Sequence, residues 1–439
     1  MRAWLIAALG AVALSGSVLA VEDASAAPTS WTLSVLHDSC HHGSCKDGYE
    51  PQGPLLRHSS DTFYGTMHSD DNLAGNVFQV KYDPARGKWI YHRIHNFCYC
   101  AEGGRGPFSN LIEDVNGNLY GITGADGAHG AGTVYELLPN ADRTKWTFQV
   151  LHNFPDADGD GRYPGGGLTY AGAGTGALYD GVSPLYGSTF SGGNQDDQGD
   201  GVVYSLTPGG GSWSESVLHT FCSQANCADG KNPIGPLGVD AAGNVFGVTE
   251  NGGNGHSGGI AFEISGGPGA WTESVLHAFC AMRNCADGIE PSNGVLVDAA
   301  GNVFGTTIGG GTGHKNAGGV LFRLVPAGED TTYSVLYSFC QRRACADGAY
   351  PRSTLAFDAS GNIYGATYEG GTGNDGTIFQ FNGTGVTTLY RFCTRHNCTD
   401  GYNPQGVTWD PSGNLFGTTY DGGTQGMGTV FELSPPGDR

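Results

Sequence analysis

The sequence predicts an all-β fold: a seven-bladed β-propeller of four-stranded antiparallel blades, its ring closed by an N-terminal strand that completes the last blade. Three observations carry that expectation. Among 439 residues 76 are Gly and only 14% are charged, so the residue types that build long helices are scarce. Aromatic side chains make up 11% of the chain, enough to furnish a core and to exclude a disordered polymer. An aromatic-Gly pair then recurs seven times at intervals of 52 to 66 residues, as Tyr64-Gly65, Tyr120-Gly121, Tyr186-Gly187, Phe246-Gly247, Phe304-Gly305, Tyr364-Gly365 and Phe416-Gly417.

The chain opens on Arg2 and an apolar run from Trp4 to Ala20, with small-residue cleavage candidates at Ala20 and at Ala24-Ser25-Ala26. Residues 1–26 read as a secretory signal peptide and 27–439 as a single propeller, secreted to an extracellular or periplasmic space. The run is too short and too rich in small residues for a membrane span, and no later segment approaches the length, so no membrane insertion is expected. The repeat units fall at about 38–95, 96–152, 153–219, 220–277, 278–337, 338–390 and 391–439, with residues 31–37 as an extra strand. In the fourth unit the strands are expected at 236–240, 244–249, 260–264 and 271–277, separated by turns such as Asp240-Ala-Ala-Gly-Asn244. The chain begins with a fourth-strand phrase and ends after a third-strand phrase. One blade must therefore take its outer strand from the N-terminus, which leaves no raw sheet edge between first and last blades.

The phrases Val-Leu-His-x-Phe, Asp-Gly-x-x-Pro, Asp-x-x-Gly-Asn-Leu-Tyr-Gly-Thr-Thr and Gly-Thr-Val-Phe together resemble the GloVer tandem repeat of secreted bacterial proteins. The first-and-second-strand phrase is also similar to NHL-type propeller blades. The resemblance spans the mature chain and implies fold and export, but it brings no catalytic residues with it. The second unit departs most, with Glu102-Gly-Gly-Arg-Gly-Pro107 in place of Asp-Gly-x-x-Pro.

Five units carry two cysteines with four residues between them: Cys40/Cys45, Cys222/Cys227, Cys280/Cys285, Cys340/Cys345 and Cys393/Cys398. The second unit has Cys98 and Cys100, and the third has none. Loss as a pair argues for local disulfides in an exported protein, not for bridges between blades. Thiolates on six separate loops could not converge on one zinc ion. A bridge across the single residue between Cys98 and Cys100 would be strained, so a free, reactive pair is the alternative there.

Function is sought where the copies disagree, because residues repeated in every unit serve the blade. His37, His95, His152, His219 and His277 share one repeat position with Tyr337 and Tyr390 and read as packing residues, as do Trp31, Trp89, Trp146, Trp213 and Trp271. The Asp of Asp-Gly-x-x-Pro reads as a turn-maker. The position just after the second strand varies: His68, Gly124, Phe190, Glu250, Ile308, Tyr368 and Tyr420. Glu369 and Asp421 follow it, and His129, His256 and His314 lie in the next loops. His68, Glu250, Tyr368 and Tyr420 are the candidate catalytic groups. Phe190, Glu369, Asp421, Arg352, His129, His256 and His314 are the candidate binding groups, suited to stacking and hydrogen bonding with sugar rings. Basic residues sit in the crossover loops, at Arg105, Arg162, Lys231, Arg283, Arg342, Arg343, Arg352 and Arg395, where they could hold a uronate carboxylate.

In the third unit Asp156-Ala-Asp158-Gly-Asp160-Gly161 replaces the cysteine loop and resembles the opening of a calcium loop, although Gly167 stands where the bidentate Glu would be. Asp156, Asp158 and Asp160 are thus candidate ligands, and calcium is the candidate cofactor. The net charge of −21 excludes nucleic acid as a partner. The leading expectation is a monomeric, secreted binding module whose loop face engages a polysaccharide or a cell-surface partner. The alternative is a polysaccharide lyase acting on uronate-containing polymers.

Overall fold

The computed structural model describes residues 30–40, 45–71, 74–155, 159–193, 199–253, 258–267, 269–313, 318–327 and 331–437. Residues 1–26, expected to be a signal peptide, lie outside them. Seven antiparallel sheets follow one another along the chain, in blades spanning 49–96, 112–153, 161–220, 231–278, 289–338, 356–391 and 402–434. Blade 7 takes its fourth strand, Thr32–Asp38, from the N-terminus, pairing Leu33 with Leu433 and Asp38 with Thr429. The propeller and its closure are as the sequence predicts.

In blade 4 the strands are Lys231–Val239, Val245–Asn251, Ile260–Ser265 and Thr272–Ala278. The first begins five residues before the expected boundary. Pro233 is accommodated because it sits on the innermost strand, whose free edge faces the central channel and needs no N–H donor there. A bulge between Ile234 and Gly238 lets the strand pair at both ends. Blade 3 departs from four strands: Gly161–Pro164 and Thr169–Tyr170 both pair with Leu185–Gly192, split by three consecutive glycines. The insertion that follows carries Ala173 and Gly174 into the channel. A Cβ at Gly174 would lie 2.7 Å from the Val297 carbonyl of blade 5, so the insertion narrows the channel at that end.

The repeat phrases explain how blades join. The residue before the first-strand proline is left-handed in every blade (Glu50, Gly106, Tyr163, Asn232, Glu290, Tyr350 and Asn403, φ 54–64°). For six of the seven this is a costly conformation. It is sustained because each N–H donates to a carbonyl of the preceding blade, for example Glu290 to Gly258 and Tyr350 to Gly318. The proline itself covers the glycine of Gly-Thr-Val-Phe next door. At all seven seams, from Pro51 on Gly428 round to Pro404 on Gly376, a Cβ on that glycine would come within 2.5–2.7 Å of the proline Cδ. Asp-Gly-x-x-Pro and Gly-Thr-Val-Phe are therefore two halves of one inter-blade joint.

Apolar packing follows the same plan. Seven buried clusters each straddle two neighbouring blades, and the last, with Phe63, Phe78, Phe416 and Val430, joins blade 7 to blade 1. Trp31, Trp89, Trp146, Trp213 and Trp271 each pack against one of these.

All five four-residue cysteine pairs are disulfides within their own loops: Cys40–Cys45, Cys222–Cys227, Cys280–Cys285, Cys340–Cys345 and Cys393–Cys398. Cys98 is joined to Cys100, so the free, reactive pair considered there is not formed. The cysteine loops carry short helical turns. Cys45 opens a short 3-10 helical turn, Cys45–Asp47, and Cys398 closes another, His396–Cys398. The chain tightens there because the Cys45 and Cys398 carbonyls accept the N–H of Gly48 at 3.0 Å and of Gly401 at 2.9 Å, three residues on.

Candidate functional site

Within each blade the crossover loop and the glycine-rich loop emerge at the same end, and backbone bonds tie one to the other, as from Gly311 N to Cys285 O and from Gly371 N to Cys345 O. That end of the ring is the mouth of the channel. The seven variable positions converge on it. Five are inside the second strand's final residues and not just after it, as with Glu250 in Val245–Asn251 and Tyr420 in Leu415–Asp421. The strand runs on because its last residues still pair with the lengthened first strand.

Two of the cavities at the mouth share Ile234 as a wall. One, of about 410 Å³, is lined by His68, Arg105, Phe108, Gly124, Tyr163 and Phe190 among others. Tyr163 and Phe190 expose 49% and 36% of their surface, so their ring faces are open to a ligand. Gly124 is necessary here, since a Cβ would lie 2.2 Å from the Phe108 ring. The second cavity, of about 350 Å³, is the more polar of the two and is lined by Gln52, Glu250, Ser292, Ile308, Arg352, Tyr368, Gln405 and Tyr420 among others. Arg352 lies 5.7 Å from the centre of the Tyr368 ring.

Carboxylates surround this polar half. Burial raises the Glu250 carboxyl, and Glu290 adds to it while Arg352 opposes. Burial pushes the Tyr420 phenol up to about 12, with Glu50 adding its charge. Tyr368 is raised by burial and then by Asp421, which itself is raised by burial and accepts a 3.0 Å hydrogen bond from Asn403. His68 stands 3.5 Å from Glu50. Glu369 accepts from Asn374 at 3.2 Å.

The mouth therefore gathers His68, Phe190, Glu250, Tyr368, Tyr420 and Arg352, with Asp421 beside it. His129 is exposed in its loop and lines neither cavity. His256 and His314 lie outside the described residues. Of the basic crossover residues only Arg105 and Arg352 reach the mouth. Arg105 is paired with Asp126 at 2.9 Å and Lys231 with Asp200 at 2.6 Å, while Arg283 and Arg343 are exposed in short helical turns and Arg342 is exposed just before one. The expected basic cluster is not formed, because successive crossovers are spread round a ring. Sequence reasoning missed Gln52, Phe108, Ile234 and Gln405, which follow the first-strand proline. That position differs from copy to copy just as the second-strand one does, and the same test would have found it.

Three of the repeated histidines, His37, His219 and His277, latch the Asp of the following Asp-Gly phrase. His277 Nε2 is 3.1 Å from Asp287, and Tyr337 and Tyr390 reach Asp347 and Asp400 at 2.7 Å. These aspartates also accept two backbone N–H groups each, such as Ala281 and Met282 on Asp287. Of the calcium candidates, Asp156 and Asp158 lie outside the described residues. Asp160 is described, and it forms with His152 and Glu215 a group of side chains that could hold a cation. A second such group, Asp200 with Cys222 and Cys227, has its sulfurs tied in a disulfide.

One blade further on, Glu273 yields a pH prediction. Its Oε1 is buried with no hydrogen-bond partner, and burial followed by Asp229 pushes the carboxyl up to about 7. An acid whose folded pKa is raised favours folding while protonated, so that contribution is complete below about pH 4.5 and is lost as pH rises towards 7. Glu273→Gln should match the wild type at pH 4 and exceed it at pH 8 by about 1–2 kcal/mol, allowing for partial solvent screening. Equal melting temperatures at pH 8 would refute it.

Among the described residues no helix is long and apolar enough to cross a membrane. No curated protein matches the sequence. Among solved structures, the extracellular domain of BT4673, assigned to a one-component system of B. thetaiotaomicron, superposes with a TM-score of 0.50 at 13% identity, over 93% of this chain and 42% of that one. The polysaccharide lyase Uly1 gives a TM-score of 0.48 at 11% identity, over 90% of this chain and 93% of its own. Identities this low speak to the fold alone. The family model describing the Gloeobacter/Verrucomicrobia repeat matches residues 24–183, 175–356 and 259–439. With the repeat phrases accounted for as blade joints and the match running through all seven blades, the chain belongs to the Gloeobacter/Verrucomicrobia repeat family.

Proposed function

We propose that this protein is an exported binding module whose channel mouth takes a neutral glycan. The observation that carries the reading is the pairing of an aromatic, largely apolar cavity with an adjoining one richer in polar groups. Open aromatic faces at Tyr163 and Phe190 suit the apolar face of a sugar ring. Gln52, Gln405, Glu250, Tyr368 and Tyr420, one wall away, suit its hydroxyl groups. The insertion narrowing the far end makes the mouth a cup. Local disulfides fit an oxidising compartment.

The lyase alternative has less support. A general base works best with a pKa near the operating pH, whereas the Tyr420 phenol is held at about 12. Arg352 could neutralise a uronate, but Glu250 beside it repels one.

The test is a glycan array of the mature chain followed by titration of the best ligand. Phe190→Ala and Tyr163→Ala should each weaken binding by about 1–3 kcal/mol without changing the melting temperature. Wild-type affinity in both variants would remove the mouth as the site. Formation of an unsaturated sugar product that Tyr420→Phe abolishes would replace binding with the lyase reading.

A further inference from the structure

We propose that the crossover from blade 2 to blade 3 binds a divalent transition ion through His152, Asp160 and Glu215. The three ligand atoms lie within 4.8 Å of one another. Ligands of a tetrahedral zinc ion sit about 3.4 Å apart for bonds near 2.1 Å, so small side-chain rotations close the set. The imidazole and the glutamate are largely withdrawn from water, with side chains 16% and 11% exposed. His152 Nε2 and Glu215 Oε1 are both buried and have no hydrogen-bond partner. Polar atoms shut off in this way are costly unless something satisfies them.

Comparison among the blades shows how the site arises. In a standard crossover the histidine latches the Asp-Gly aspartate, and the cysteine loop supplies two further N–H donors to it, as at Asp287. An aromatic ring from the next blade then covers the imidazole: Tyr91 on His37 at 3.9 Å, Phe148 on His95 at 4.2 Å and Tyr333 on His277 at 3.8 Å. The blade 3 crossover has neither cysteine, and Asp160 accepts a hydrogen bond from its own neighbour, Gly161. The covering ring is replaced by Glu215, whose Oε2 is 3.4 Å from His152 Nε2. Two changes at one crossover thus turn a closed latch into one nitrogen and two carboxylate ligands. The ion would staple the one crossover that lacks a disulfide.

The adjacent crossover supplies an internal control. It has the same residue types in His219, Asp229 and Glu273, but Asp229 accepts from Ser223 N, Ser223 Oγ and Gln224 N. With that aspartate already satisfied the group should not bind, even though His219 Nε2 and Glu273 Oε1 are buried without a hydrogen-bond partner. An imidazole with two carboxylates suits zinc or manganese, whereas calcium prefers oxygen ligands alone.

The experiment is competition of metal-free protein against a chromophoric chelator with zinc, manganese and calcium ions, alongside thermal unfolding. Wild type should take up one equivalent of zinc and melt at a higher temperature when it is bound. His152→Tyr and Glu215→Tyr use residues that sister blades carry at the same repeat positions, so both should fold. Each should lose at least about 30-fold in zinc affinity, while Glu273→Gln should keep it. The proposal is overturned by wild type that binds no zinc, or by either tyrosine variant binding like wild type. It is equally overturned if Glu273→Gln loses the ion, or if calcium binds through Asp160 and zinc does not displace it.

Discussion

Deleting residues 31–38 should abolish the cooperative unfolding transition of the propeller. The deletion removes the strand Thr32–Asp38 and with it the whole pairing with Thr429–Ser434. Leu33, 2% exposed, is withdrawn from the cluster that holds Phe431 and Leu433. Thr424 loses its bonds to Asp38, and Arg395 loses its bond to the Leu33 carbonyl. One buried leucine contributes about 1.5–3 kcal/mol, and each ladder bond about 0.5–1.5 kcal/mol. Their sum rivals the total stability of about 5–15 kcal/mol typical of a domain. The bared third strand is also a template for edge-to-edge pairing, so the truncated chain should self-associate. Calorimetry and gel filtration would measure both effects, and an unchanged melting curve would reject the closure. The milder Leu33→Ala should keep a single transition and cost about 2–5 kcal/mol.

Gly319→Val should destabilise by about 3–5 kcal/mol, far more than a glycine substitution chosen only for its φ. Gly319 has φ +84°, and a Cβ there would lie 2.2 Å from the Thr307 carbonyl and 2.7 Å from Pro351 Cδ. Those atoms are backbone and ring, which cannot rotate away, so blades 5 and 6 would have to part. Gly361 has almost the same φ, +80°, with nothing within 4 Å of its Cβ position. Gly361→Ala should therefore cost only about 1–2 kcal/mol, the ordinary penalty for a left-handed residue. Chemical denaturation of the two variants separates conformational strain from the seam. If they cost the same, proline-on-glycine packing does not hold the blades together.

The seven aromatic-Gly copies, the local cysteine pairs and the phase of the repeat determined the propeller, its disulfides and its closure from sequence alone. Those features are local or periodic: a hairpin, a six-residue loop and a strand count each depend on neighbours along the chain. Comparing the copies also brought His68, Phe190, Glu250, Tyr368 and Tyr420 to light, because equivalent positions in a ring must share one face. What the sequence could not decide was distance across the ring. Arg352 meets Tyr368 in one cavity, while Arg342 and Arg343, ten and nine residues earlier, stay on the exposed loop. His129, a binding candidate from its place in the following loop, remains outside the mouth. The role of the prolines of Asp-Gly-x-x-Pro became visible only when the adjoining blade placed a glycine beneath each. Likewise Glu215 lies 63 residues from His152, and only the packing of one blade on the next sets their side chains 3.4 Å apart. Contacts between blades are governed by the geometry of the closed ring, and that geometry has no signature in a single unit.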